Sequence, residues 1–257
     1  FDLITQQWRS QEVENCLFEV RCLGKNKTPL SQKFSYKKIP DAVEFAKAKN
    51  NQNYNVYTTV NPINPNVEKN ARDENVSLAF FSFADADDLA GVEALKKFCD
   101  IQKPEFTVIT GRIPHLRFHG YWRLLEPCSD MALWRETQEQ IALNFQTDTV
   151  VKNPSRIMRV PGTISYPNGK KRAQGYIDEL VVLRTNPKPK PFADISSWSD
   201  MLPKPVISET FHIDMGKNSL DLNAIRAGIL SGQNWHENIL RLVGRLVADG
   251  SSKEEIL

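Results

Sequence analysis

The sequence predicts an α+β fold: a mixed or antiparallel sheet flanked by helices, with a small helical part toward the C-terminus. Three observations predict it. Short runs of β-branched, aromatic and apolar residues recur at strand length, some with strict alternation. Two intervening segments place apolar residues at helical spacing behind an acidic cap. Residues 187–205 then hold five of the fifteen prolines, a composition expected of an extended linker.

At 257 residues the chain can bury a core of its own and hold one main domain with something smaller. A hydrophobic share of 40% with 25% charged residues is ordinary for a soluble globular protein. No apolar run approaches the roughly 18 residues of a bilayer span, and the opening FDLITQQWRS lacks the plan of a signal peptide. No membrane partner is expected. Phe1 in place of Met is expected of a processed chain or a piece of a longer one. Cys16, Cys22, Cys99 and Cys128 form no CxxC pair, which points away from zinc and toward reduced thiols in a cytoplasm. The net charge of +2 is too small to imply nucleic acid by itself. Its distribution says more: residues 149–177 carry Lys152, Arg156, Arg159, Lys170, Lys171 and Arg172 with no acid. Such a patch meets phosphates, or is simply solvated surface.

Residues 17–23 (LFEVRCL) alternate as a strand. After a polar stretch, Pro40 opens a helix (PDAVEFAKAKN), proline being tolerated in a first turn. Residues 54–60 (YNVYTTV) form a strand that ends at a Pro-rich loop, NPINPN. Residues 76–88, VSLAFFSFADADD, read as a strand ending in acid. Strand side chains alternate, so Asp85 and Asp87 project the same way from its tip. Two carboxylates on one edge seat a hard divalent cation. The alternative is an acidic strand end entering helix 88–100, with Asp87 or Asp88 as N-cap.

FTVIT (106–110) is another strand, and a turn at 112–114 precedes an alternating run, HLRFHGYWRL. His115, Arg117, His119, Tyr121 and Arg123 share one face; Leu116, Phe118, Gly120, Trp122 and Leu124 share the core face. The first face suits anionic oxygens, or else is an exposed side of the sheet. Ser129 or Asp130 caps the next helix, whose Trp134, Ile141 and Phe145 face the core. Within QTDTVVKNPSRIMRVPGTI, Arg156 and Arg159 are neighbours if the piece is one helical turn. Asn168-Gly169 turns the chain before Lys170 and Lys171, and a strand follows over 176–183. Residues 221–231 and 235–249 have helical periodicity. Ser252 with Glu255 opens a third helix, so the polypeptide is expected to continue past Leu257.

Taken in order, these segments resemble the primase-polymerase branch of the archaeo-eukaryotic primase superfamily, of the type encoded by phages, plasmids and other mobile replicons. Its first motif, an apolar strand ending in Asp-x-Asp, is matched by Phe83-Ala84-Asp85-Ala86-Asp87. Its second, a hydroxyl-Gly stretch leading to a histidine, is matched by Thr110-Gly111-Arg112-Ile113-Pro114-His115, with Tyr121-Trp122 beyond and His119 between. Its third acid is matched by Asp148. The Arg-rich Pro-Gly-Thr segment with lysine is matched by Pro154-Ser155-Arg156 through Arg159-Val160-Pro161-Gly162-Thr163 and Lys170-Lys171. Ser165 stands where the family pattern has Asn. The resemblance covers residues 17–183. The tail from about residue 220 is similar to the small primase C-terminal module that precedes a helicase.

The resemblance implies a sheet of the RNA-recognition-motif type with an N-terminal α/β unit. It divides the chain into a catalytic domain (1–184), a Pro-rich linker (185–217) and a helical module (218–257). It implies DNA-templated nucleotidyl transfer that makes and extends primers in the replication of a mobile replicon or phage. Two divalent cations, Mg²⁺ or Mn²⁺, would sit on Asp85, Asp87 and Asp148. His115, Arg117, His119, Arg156, Arg159, Lys170 and Lys171 would hold nucleotide phosphates. The implied partners are single-stranded DNA, nucleoside triphosphates and a helicase, in a cytoplasm. Two other readings stay open here: a metal-dependent glycosyltransferase, which also uses Asp-x-Asp, and a non-catalytic origin- or single-strand-binding module of the same fold.

Overall fold

Strand and helix signals in the sequence resolve into two antiparallel sheets joined by one apolar core. The computed structural model describes residues 1–11, 15–148 and 150–202, all within the compact unit Phe1–Pro205. In chain order these are helix α1 (Asp2–Ser10), β1 (Leu17–Leu23), β2 (Leu30–Ser35), α2 (Ile39–Asn51), β3 (Asn55–Thr59), β4 (Ala79–Ala86), α3 (Leu89–Ile101), β5 (Phe106–Gly111), β6 (Arg117–Cys128) and α4 (Met131–Asn144). The short elements β7 (Ile157–Arg159), β8 (Ile164–Ser165), α5 (Gly169–Ala173), β9 (Glu179–Leu180) and β10 (Val182–Thr185) follow. One sheet runs β2-β1-β3-β7, the other β10-β5-β6-β4, and β8 pairs with β9. Among the described residues no helix is long and apolar enough to cross a membrane.

The α+β expectation holds, and so do most element positions. Asp130 caps α4 by accepting from the amides of Ala132 and Leu133. The core joins Phe18, Val20, Val56 and Met158 of the first sheet to Phe83, Val108 and Tyr121 of the second. Strand β4 lies at a sheet edge, where free backbone groups need partners. Helix α4 supplies them: the Gln138 amide donates to the Phe83 carbonyl at 2.9 Å and accepts from its N–H at 3.2 Å. Trp134 Nε1 donates to the Phe81 carbonyl at 3.1 Å. The strand that carries Asp85 is therefore held on both sides.

Four expectations change. Helix α1 has no counterpart in the sequence reading, although Ile4 and Trp8, four apart, bury its inner face. Part of the polar stretch after β1 is itself a strand, β2, paired with β1 from Leu17 to Cys22. Residues 157–159 form a strand, not a helical turn, because they complete the edge of the first sheet against Thr59, Thr58 and Tyr57. Finally, residues 187–202 are packed, so the linker reading fails there. Phe192 and Trp198 are buried, their rings 4.4 Å apart, and Trp198 stacks on Phe98 at 5.4 Å. The prolines bracket an aromatic anchor instead of a free tether. The rest of the linker and the helical module, residues 203–257, lie outside the described residues, as does the reason for expecting a helicase.

Candidate active site

Strand pairing builds the site. Strand β6 runs between β5 and β4, setting His119 opposite Val108 on one side and Asp85 on the other. Tyr121 stands opposite Phe83 in the same register. The face carrying His119 is not exposed: His119 is 3% and Arg117 5% accessible. That corrects the exposed-face alternative, since the first sheet covers it. Glycine permits two close approaches here. A Cβ on Gly120 would lie 2.6 Å from the Trp122 ring, and one on Gly111 would collide with the Arg117 guanidinium.

The acidic tip of β4 divides its labour. Asp88 caps α3, accepting from the Gly91 amide at 2.8 Å, which leaves Asp85 and Asp87 facing a cavity of about 200 Å³. Asp148 reaches the same cavity from the loop after α4. Its amide donates to the Asp85 carbonyl at 3.2 Å. The Asp148 carboxylate accepts from the Val150 amide at 2.9 Å and lies 3.7 Å from Arg156 Nη2. Arg117, His119, Arg156, Arg159 and Lys171 line the cavity as well.

Electrostatics follows from burial. Desolvation, with Asp87 and Asp148 adding to it, pushes the Asp85 carboxyl up to about 7, while Arg156 and Arg159 pull the other way. Its Oδ1 is buried with no hydrogen-bond partner, 3.5 Å from His119 Nε2. Burial also raises Asp87, but the charge and hydrogen bond of Lys171, Nζ to Oδ2 at 3.1 Å, hold it below the usual carboxylate range. Burial drives the His119 imidazole down to about 3, so it is neutral at physiological pH. Burial likewise keeps the Tyr121 phenol protonated. Its hydroxyl lies 3.0 Å from His119 Nδ1. A phenol donating there leaves the imidazole proton on Nε2, aimed at Asp85.

The architecture matches solved structures. The AEP domain of the cyanophage S-2L primase-polymerase aligns over 79% of this chain and 97% of its own, with TM-score 0.55 and 20% identity. This is the primase-polymerase fold. The primase RepB′ aligns over 98% of this chain and 84% of its own, with TM-score 0.52 and 14% identity. No family model and no curated protein matches the sequence.

On this primase-polymerase fold, seven of the nine acid and phosphate candidates besides His119 line the cavity and two do not. Asp85, Asp87, Asp148, Arg156, Arg159 and Lys171 line the cavity together. Arg117 lines it too, but its guanidinium is committed: Nη2 binds Glu179 Oε2 at 2.8 Å, Nη1 the Ile113 carbonyl at 2.8 Å, and the plane stacks on Tyr176 at 4.4 Å. His119 is the histidine in the cavity. His115 stands outside the lining, with Nε2 2.8 Å from the Asp87 carbonyl. Lys170 is exposed and does not reach the lining either. Tyr57, Thr110, Ser165 and Tyr176 complete the wall. The sequence placed Thr110 and Ser165 only through the family pattern and Tyr57 and Tyr176 only within strands, because isolated hydroxyl residues carry no spacing signal of their own. Arg159 stacks over the Tyr57 ring at 5.0 Å.

Proposed function

We propose that the chain is a DNA-templated nucleotidyltransferase that synthesises and extends primers. One observation carries the reading: the carboxylates Asp85 and Asp87, the sequence-remote Asp148 and the cations Arg156, Arg159 and Lys171 line a single cavity on a primase-polymerase fold.

The donor set suits a hard divalent cation. Asp85 Oδ1 is buried without a hydrogen-bond partner, and burying such an oxygen is costly unless something compensates it. Among the described residues no three His, Cys, Asp or Glu side chains stand close enough together to hold an ion, and Lys171 and Arg156 lie against Asp87 and Asp148. Asp85, Asp87 and Asp148 would hold Mg²⁺ or Mn²⁺, which supplies acidification of an attacking 3′-hydroxyl and charge neutralisation at the leaving pyrophosphate. Arg159 and Lys171 take the triphosphate, through charge-assisted hydrogen bonds. Arg156 offers a buried Nε with no hydrogen-bond partner to the same anion. His119, neutral and carrying its proton on Nε2, orients Asp85 or donates to a phosphate oxygen.

The test is incorporation of labelled nucleotides on single-stranded DNA with Mg²⁺ or Mn²⁺. The parent should extend a primer, and Asp85→Ala with Asp87→Ala should not. Equal extension by both proteins contradicts the assignment. Turnover of a sugar nucleotide without DNA would replace it with glycosyl transfer.

A further inference from the structure

Beside the acid-lined cavity lies a wider hollow of about 600 Å³, and the two share Tyr57, Arg159, Pro167 and Lys171 along their common rim. One wall is the turn after β1, with Lys25 and Lys27; the other is α5, with Arg172. The walls come close: Lys25 Nζ lies 3.9 Å from the place a Cβ on Gly169 would take. Asp178 also lines the hollow, but it is paired with Arg172. Among the described residues Lys25 has no acidic partner. The lining therefore carries an excess of positive charge.

The floor is rigid. The Asn55 amide donates to the Tyr166 carbonyl at 2.9 Å and accepts from its N–H at 2.8 Å, while also accepting from Arg159 Nη1 at 2.9 Å. Buried Asn50 grips Ile164 in the same two-handed way, at 2.8 Å for each bond. The Tyr166 hydroxyl donates to the Asn50 carbonyl at 3.1 Å, so the half-buried ring lines the hollow in a fixed pose. Fixed aromatic rings between lysines and arginines are what a polynucleotide without a complementary strand requires. Its phosphates meet the cations and its unpaired bases stack.

We propose that this hollow holds a single-stranded polynucleotide, the template of the reaction proposed above, on which reading the inference rests. Size and continuity favour a strand over a lone nucleotide. The acid-lined cavity of about 200 Å³ accommodates the reacting phosphates, and the hollow of about 600 Å³ opens from its rim outward. Lys25 and Arg172 contact backbone phosphates, and Tyr166 stacks on a base.

The test is binding of a fluorescent dT20 oligonucleotide over a range of salt, with chelator present so that no turnover is needed. Parent, Lys25→Glu with Arg172→Glu, Tyr166→Leu, and a control of equal charge change on the exposed side of α3, Lys96→Glu with Lys97→Glu, are compared after thermal melts establish folding. Loss of two phosphate contacts should weaken binding at least tenfold and reduce the slope of log affinity against log salt by about 1.4. Tyr166→Leu should weaken binding about tenfold with the slope unchanged. The control should move affinity by less than about twofold. Unchanged affinity and slope in the first variant, or a duplex bound as tightly as dT20, overturns the proposal. So does a rise in nucleotide KM alone, which would give the hollow to the triphosphate. If the parent binds dT20 through these residues yet incorporates no nucleotide, the hollow stands and the polymerase reading falls.

Discussion

The amide of Asp148 donates to the carbonyl of Asp85 across 3.2 Å. That single backbone bond fastens the loop after α4 to the tip of β4, so the meeting of the acids does not depend on side-chain rotamers alone. The neighbouring turn is fastened separately. Asp73 Oδ1 accepts from Ser155 Oγ at 2.7 Å and from the Ser155 amide at 3.3 Å, and its other oxygen accepts from Arg135 at 2.8 Å. Arg156 follows directly after that anchor.

Asp73→Ala should therefore act at a distance. Losing the partly exposed anchor should cost about 1 kcal/mol of stability. It should also raise nucleotide KM with a smaller effect on kcat, as Arg156 loses its fixed approach. Urea unfolding and steady-state kinetics read the two effects. A fall in kcat at constant KM would show that the turn does something other than position Arg156.

Asp85 gives the stability a pH signature. Its carboxyl titrates near 7 against an ordinary 3.8. A folded pKa above the unfolded one contributes stability that is complete below the unfolded value and lost as pH rises through the folded value. Asp85→Asn removes this loss. In chelator, the unfolding free energy of the variant should gain on the parent between pH 4 and 8, by up to about 4 kcal/mol. His119 loses stability in the opposite direction as pH falls below its ordinary 6.5, but it does so in both proteins and cancels in the difference. A difference that stays flat with pH would mean the carboxyl is not desolvated.

Much of this site was legible because strands announce their faces. The alternation in 79–87 placed Asp85 and Asp87 on one face of their strand, and that in 115–123 placed His119 with Arg117 and Tyr121 on one face of another. Only the pairing of β4 with β6 brings the two together. Asp148 was reached only through family order, since no periodicity links a loop residue to a strand tip. The choice between His115 and His119 was illegible for a physical reason. Both belong to the same alternating face, and only the start of β6 at Arg117 separates the turn from the strand. Arg117 was read as a phosphate ligand because Glu179, which holds it at 2.8 Å, lies far along the chain. The 187–202 segment was misread because proline count outweighed a lone Trp198, whose partners Phe98 and Trp122 no local rule could supply.

Trp198→Ala tests that correction. A fully buried indole packed on three aromatic rings should cost about 3–5 kcal/mol on truncation, read as a shift of the urea midpoint. A loss below about 1 kcal/mol would restore residues 187–202 to the status of a linker.

Lys171 contacts Asp87 through half-exposed groups, so its charge is worth little to stability, less than about 1 kcal/mol. On the proposed reading its role is phosphate binding. Lys171→Met should leave the melting temperature almost unchanged while raising nucleotide KM about tenfold. An unchanged KM would remove Lys171 from the triphosphate.

The convergence of the three acids is tested most directly by de novo primer synthesis on single-stranded DNA with Mn²⁺, comparing the parent with Asp148→Asn at matched fold stability. The amide keeps the backbone bond to Asp85 and much of the local turn but lacks the charge. Product formation should fall roughly a thousandfold, equivalent to about 4 kcal/mol of transition-state stabilisation. Synthesis at the parental rate would show that the third carboxylate is a turn residue and that the metal-site account is wrong.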